Sequence, residues 1–224
     1  MDAEFAETPH ASRVPQQGRS RASYERMLGA AEKLLIERGN DDFTLTEVGK
    51  VGKVSIGSIY CRFDSKDDLI RAVQARALTL VNEDQMQMIA RCEVETADLF
   101  ELITSLVDGL AETLRKHAPI MRPLMHRATT DPVVAATGKQ KYQAVADRVH
   151  EVLLAHRAEI AQPDPERAVQ SAYRIIYAAI ARYLGFGSAV GAAWEGDWEI
   201  LKEDLGRMCA AFLLTNPKER AKPA

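Results

Sequence analysis

Apolar residues recur at helical spacing along almost the whole chain, and no stretch alternates at the two-residue period of a half-buried strand. Tyr24, Met27, Leu28, Ala31, Leu34 and Leu35 fall on one stripe, predicting a helix from about Ser20 to Arg38 that Gly39 stops. The next segment, TLTEVGKVGKVSIGSIYCRFDSKDDL from Thr44 to Leu69, holds three helix starts in quick succession. Thr44 and Glu47 have capping-box spacing, with Phe43 and Val48 placed as the matching hydrophobic staple. Gly52 reads as a turn residue. Ser55 can then cap a second helix, with Val54 and Ile59 as its staple pair. That helix is too short to stand alone, so Ile59 and Phe63 must anchor it. Ser65 and Asp68 form a third box, opening a long helix to about Ala90.

The remainder is helical by the same pattern. Thr96 is placed to cap a helix whose Leu99, Phe100, Ile103, Leu106, Val107 and Leu110 make a stripe ending near His117. Pro119 would start a shorter helix through Met121, Leu124 and Met125. Asp131-Pro132 is a cap followed by a first-turn proline, predicting a helix to about Ile160, and Asp164-Pro165 repeats the signal for a helix to Gly185. A loop rich in Gly and Ala over 185–197 precedes a last helix from about Trp198 to Thr215. The 165–185 helix is apolar nearly all round, which predicts burial on two sides. Together with the last helix it could form a four-helix interface with a second copy, through Val169, Tyr173, Ile176, Ile180, Leu184, Leu201, Leu205 and Phe212. A central helix inside a monomer is the other reading. The expected fold is all-α: residues 1–20 a polar disordered arm, 21–68 a three-helix head, 69–216 a larger helical body, and 217–224 a frayed tail.

Two short helices joined by a tight turn, after a first longer one, have the spacing of a helix-turn-helix, a unit that lays its second helix in the DNA major groove. The outward face of that helix carries Ile56, Gly57, Ser58, Tyr60, Cys61 and Arg62. Short side chains near its start let backbone sit close to DNA, and helix-start amides suit phosphate. Ile56 would suit a thymine methyl and Arg62 a guanine.

The stretch from about Ser23 to Val73 resembles the DNA-binding domain of the TetR family of bacterial transcriptional regulators, through T-x-x-E-V and V-S-x-G-S-I-Y-x-x-F-x-S-K-x-x-L. The resemblance implies that Ser55 through Phe63 is the recognition helix, that Tyr60 and Lys66 contact phosphates, and that Thr44 and Thr46 meet DNA from the preceding helix. Lys53 replaces the glycine usual before the V-S pair and would add a phosphate contact. The resemblance also implies a homodimeric repressor of a palindromic operator, with an effector cavity in the body. Candidate lining residues are Met86, Phe100, Ile103, Leu106, Met121, Met125 and Tyr142, although any of these could equally be plain core.

The net charge of −3 becomes informative when divided. Residues 11–66 carry ten Lys/Arg against seven Asp/Glu, whereas 67–224 carry 19 against 22, so the positive bias lies at the DNA end. Arg13, Arg19 and Arg21 in the arm could reach a groove or phosphates. Cys61, Cys92 and Cys209 are odd in number and far apart, which suits a reducing cytoplasm. No stretch approaches the length of a membrane span, and the acidic start is unlike a signal peptide. His117, His126, His150 and His156 lack ligand spacing, and Gly185-x-Gly187 follows a helix, so metal, nucleotide and catalytic sites are not expected. Expected partners are double-stranded DNA, a small molecule and a second copy, with no cofactor and no membrane.

Overall fold

The computed structural model describes residues 18–187 and 196–216. Among these, the regular structure is all helical: α1 (Gly18–Arg38), α2 (Leu45–Gly52), α3 (Ile56–Tyr60), α4 (Lys66–Glu95), α5 (Leu99–Arg127), α6 (Pro132–Leu154), α7 (Pro165–Tyr183) and α8 (Trp198–Leu214). A single 3-10 turn, Arg157–Glu159, follows α6. The chain divides into two compact units, Met1–Arg76 and Ala77–Ala224. The division falls inside α4 rather than at residue 68, because the first turns of that helix complete the core of the head. The arm was expected to reach residue 20, but α1 already begins at Gly18. Residues 1–17, most of the 185–197 loop and the tail after 216 lie outside the described residues.

In the head, the stripe of α1 is buried, as are Val48, Ile59, Phe63, Leu69, Ile70 and Val73. Tyr24 and Phe63 stack with ring centroids 5.7 Å apart, joining α1 to the end of α3. Arg76 reaches Glu25 at 3.2 Å and also pairs with Glu32, tying α4 to α1.

In the body, α5 is the central helix and packs on α6, α7 and α8. Its start is capped by Asp98, whose carboxylate accepts from the Glu101 amide at 2.8 Å, while Glu101 accepts from the Ala97 amide at 3.0 Å. Thr96 instead donates its hydroxyl to the Cys92 carbonyl, at the end of α4, which runs five residues past its expected stop. Pro119 and Pro123 both lie inside α5, so the expected break near His117 is absent. Each proline removes one backbone donor, but Ala118, Ile120, Met121, Pro123 and Leu124 are all buried, and that burial keeps the helix continuous. The helix after Asp131 ends at Leu154, short of Ile160, and α7 ends two residues before Gly185. Two close approaches hold the body. Met88 of α4 packs onto Gly109 of α5, where a Cβ would stand 2.6 Å from its sulfur. Thr104 packs against Gly206 of α8.

A buried cation links α5 to α8. The Lys202 ammonium sits 2.7 Å from Asp108, 2.7 Å from Glu112 and 2.8 Å from Glu199. Trp198 donates its indole N–H to the same Glu112 oxygen, at 2.7 Å. Burial alone would lower the Lys202 pKa, but the three carboxylates hold it above the ordinary lysine range.

Candidate nucleic-acid interface

The turn between α2 and α3 is built by side chains acting on their own backbone. The Thr44 hydroxyl accepts from the Glu47 amide at 3.2 Å, and Glu47 accepts from the Thr44 amide at 2.8 Å, a complete capping box. Arg38 bonds the same carboxylate at 2.6 Å and is the first cause, with Thr44 next, of a Glu47 pKa lowered to about 2. Ser55 caps α3, its hydroxyl accepting from the Ser58 amide at 3.1 Å and meeting the Ser58 hydroxyl at 2.8 Å.

The two expected staple pairs differ. Phe43 and Val48 are both buried, whereas Ile59 is buried and Val54 only half-buried.

Gly52 is not the turn residue. It closes α2, and the left-handed position belongs to Lys53, with φ 51° and ψ 49°. The reason for glycine at 52 is proximity: a Cβ there would lie 2.9 Å from the Arg26 carbonyl oxygen and 3.2 Å from the Ala30 Cβ of α1. A Cβ at Gly57 would meet nothing within 4 Å, so no close approach among the described residues requires glycine there.

The recognition helix is shorter than expected, Ile56–Tyr60 rather than 55–63, although the chain continues in tight turns with the amides of Cys61 and Phe63 bonded to Gly57 and Ile59. Ile56 and Tyr60 are exposed apolar residues, 41% and 58% accessible, and Thr44, Thr46, Lys53, Ser55, Gly57 and Cys61 are exposed beside them. Lys50 is exposed on the same turn. Ser58 is half-buried.

Two expected DNA contacts are drawn inward. Arg62 donates to the Ser20 hydroxyl of α1 at 2.5 Å. Lys66 donates to the Asp41 carbonyl at 2.7 Å, sits 3.5 Å from its carboxylate and lies over the Phe43 ring. Both brace the head.

The body places the other expected sites differently. Val169, Tyr173, Ile176, Ile180, Leu184 and Leu205, expected at an interface between copies, are buried within the single chain; Leu201 is half-buried and Phe212 exposed. The face left open on α7 and α8 carries Ile175, Ala178, Ile200, Met208, Ala211 and Phe212. Of the expected cavity lining, Ile103 and Leu106 border a small apolar cavity of about 10 Å³, beside Val149, Leu153, Tyr173 and Cys209. Met121 lies in the same core, with Met86, Met125 and Tyr142 partly buried against it. Phe100 is half exposed and lines an open groove of about 810 Å³ with Arg91, Thr104 and Arg207.

A capped α2–turn–α3 unit on a packed three-helix head, with its second helix exposed, defines a DNA-binding protein of the helix-turn-helix class. Residues 27–73 match the family described as bacterial regulatory proteins, tetR family. Solved structures share the fold over most of the chain. A protein reported as a putative TetR-family transcriptional regulator from Mesorhizobium loti superposes with a TM-score of 0.69 at 17% identity, covering 88% of this chain and 97% of its own. A transcriptional regulator from Saccharomonospora viridis, solved in complex with choline, gives 0.66 at 15% identity, covering 87% and 98%. The fatty acid degradation regulator FadR from Bacillus halodurans gives 0.59 at 16%, covering 87% and 96%. No curated protein sequence matches at comparable significance. Residues 27–73 thus carry the likeness to the DNA-binding domain of the tetR family, and the solved structures share the fold of the chain as a whole. No described helix is long and apolar enough to cross a membrane.

Proposed function

We propose that the protein is a homodimeric repressor that leaves a palindromic operator when a small, mostly apolar effector enters its body. The observation that carries the reading is the pairing of two exposed features: the DNA-facing α3 and the apolar strip on α7 and α8. Ile175, Ile200 and Met208 are each more than half accessible, and monomeric proteins rarely leave such a strip bare. A second copy would cover it and give two heads, matching the two half-sites of a palindrome. Ile56, Tyr60 and the exposed residues of the α2–α3 turn, from Thr46 to Cys61, would face the groove, with Lys50 and Lys53 toward phosphates. Regulators with this fold include one solved with choline, which supports a small-molecule role for the body.

For the effector, the favoured place is the apolar cavity bordered by Ile103, Leu106 and Tyr173, with Met121, Met125 and Tyr142 in the same cluster. That cavity has room for about one water molecule, so an effector must open it. Emptying an operator from nearly full occupancy requires about 5.5 kcal/mol of preference for the open state. Linkage then requires operator DNA to weaken effector binding by the same factor. The test is selection of operator sequences from random DNA with the full-length protein, followed by sedimentation of free and bound forms. Enrichment of inverted repeats bound by one dimer is expected; enrichment of single half-sites by a monomer would refute the reading.

A further inference from the structure

The body gathers polar side chains that its own fold leaves without partners. Tyr142 of α6 packs against Tyr177 and Tyr173 of α7, with ring centroids 4.7 and 5.6 Å apart, and His150 meets the Tyr173 ring edge-on at 5.8 Å. Tyr173 is buried, and Tyr142 and Tyr177 are partly so. None of the three phenols has a hydrogen bond among the described residues, and the His150 Nε2 is buried with no partner. Buried polar groups are almost always paired, so the unpartnered His150 Nε2 is unusual, and the three phenols beside it remain free to donate.

The chemistry of the group is specific. Burial raises all three phenols, Tyr177 to about 12, so each remains a neutral O–H donor near pH 7. Burial lowers His150, keeping its imidazole neutral. The Arg174 guanidinium, exposed on α7 and without an ion pair among the described residues, acts on Tyr142 and His150 in the direction that favours negative charge. Asp147 acts oppositely on His150, but it is exposed and already accepts from Gln143 at 2.7 Å. A cation at the cluster would be repelled by Arg174. The ring of Tyr173 also borders the apolar cavity with Leu106 and Ile176, so the aromatic cluster and the apolar site share one wall.

We infer that Tyr142, Tyr173, Tyr177, His150 and Arg174 together receive the oxyanion end of the effector, which is an apolar molecule bearing a carboxylate. Its hydrocarbon or aromatic part enters beside Tyr173 and opens the cavity, and the phenols and guanidinium take the carboxylate oxygens. The inference rests on the reading of the body as an effector-binding unit.

The test compares three probes of equal chain length, decanoate, decan-1-ol and decyltrimethylammonium, titrated calorimetrically into the full-length protein. Decanoate should bind at least about tenfold more tightly than decanol, and the ammonium probe weakest, since a charged hydrogen bond is worth about a tenfold factor or more. Tyr177→Phe keeps the ring and removes the donor; Arg174→Gln removes the charge at an exposed position. Each should reduce decanoate affinity about tenfold while leaving decanol unchanged, with circular dichroism as in the wild type. Decanol binding as tightly as decanoate, or both variants losing the two probes equally, would overturn the inference while leaving an apolar effector site in place. No binding of any probe would overturn the inference and count against the effector reading itself.

Discussion

Gly52→Ala sets two opposing effects against each other at a single methyl group. Alanine is the better helix former by about 1 kcal/mol, and Gly52 is the last residue of α2. Against this, the new Cβ would stand 2.9 Å from the Arg26 carbonyl oxygen and 3.2 Å from the Ala30 Cβ, where carbon contacts are comfortable at about 3.5–4.0 Å. Both neighbours are fixed to the α1 backbone, so neither can swing aside, and α1 and α2 must separate by several tenths of an ångström. Overpacking of this kind costs about 1–3 kcal/mol, which offsets the propensity gain and leaves a net loss of up to about 2 kcal/mol. Gly29→Ala is the control. It lies on the exposed side of α1 with nothing within 4 Å of its Cβ, and should stabilise the head by up to about 1 kcal/mol. With two compact units, a global melt is a poor measure. Hydrogen exchange of the α2 and α3 amides in the intact protein reads the head directly. If Gly52→Ala protects those amides as well as the wild type, the close approach of α1 and α2 is not what requires glycine there.

Three further outcomes are expected. Lys53→Gly relieves a left-handed residue worth about 1 kcal/mol, so the head should gain stability by hydrogen exchange while operator affinity falls and its salt slope flattens by about one; unchanged affinity would remove Lys53 from the interface. Ile175→Arg, at an exposed position, should give folded monomers by sedimentation that no longer bind operator, whereas Ile176→Arg, inside the core, should lower the melting temperature sharply; an Ile175→Arg dimer would exclude this strip as the contact. Lys202→Met leaves Asp108, Glu112 and Glu199 without their shared cation and should cost about 1–3 kcal/mol in denaturant unfolding, below a fully buried pair because the carboxylates are partly exposed. In the wild type, burial pushes Glu112 up, but Lys202 and Trp198 pull it below its ordinary value. Its contribution is therefore present above about pH 4.5 and lost on acidification, which a stability titration from about pH 6 to about pH 3 would follow.

Helix starts were legible because capping is local: Thr44, Ser55, Asp131 and Asp164 each bond an amide within three residues. The start of α5 was missed by two residues because Thr96 and Asp98 both have capping chemistry, and the choice depends on where α4 stops. Pro119 misled because burial of its neighbours overrides its local preference. The roles of Arg62 and Lys66 were hidden because their partners, Ser20 and Asp41, lie 42 and 25 residues away. Periodicity marked α7 as apolar on most sides, but it could not say which side its own chain covers.

The inward commitment of Arg62 and Lys66 bears on how such a protein finds its target in a chromosome. Attraction to arbitrary DNA scales with the cations a protein can offer to phosphate. With those two held by the head's own oxygens, each turn presents mainly Lys50 and Lys53. On the proposed reading, this turn would add little to the hold of random sequence. Discrimination would then rest on neutral surfaces such as Ile56, Gly57 and Tyr60, whose fit to a base edge changes little when salt concentrations rise. Selectivity at the turn would therefore survive osmotic stress.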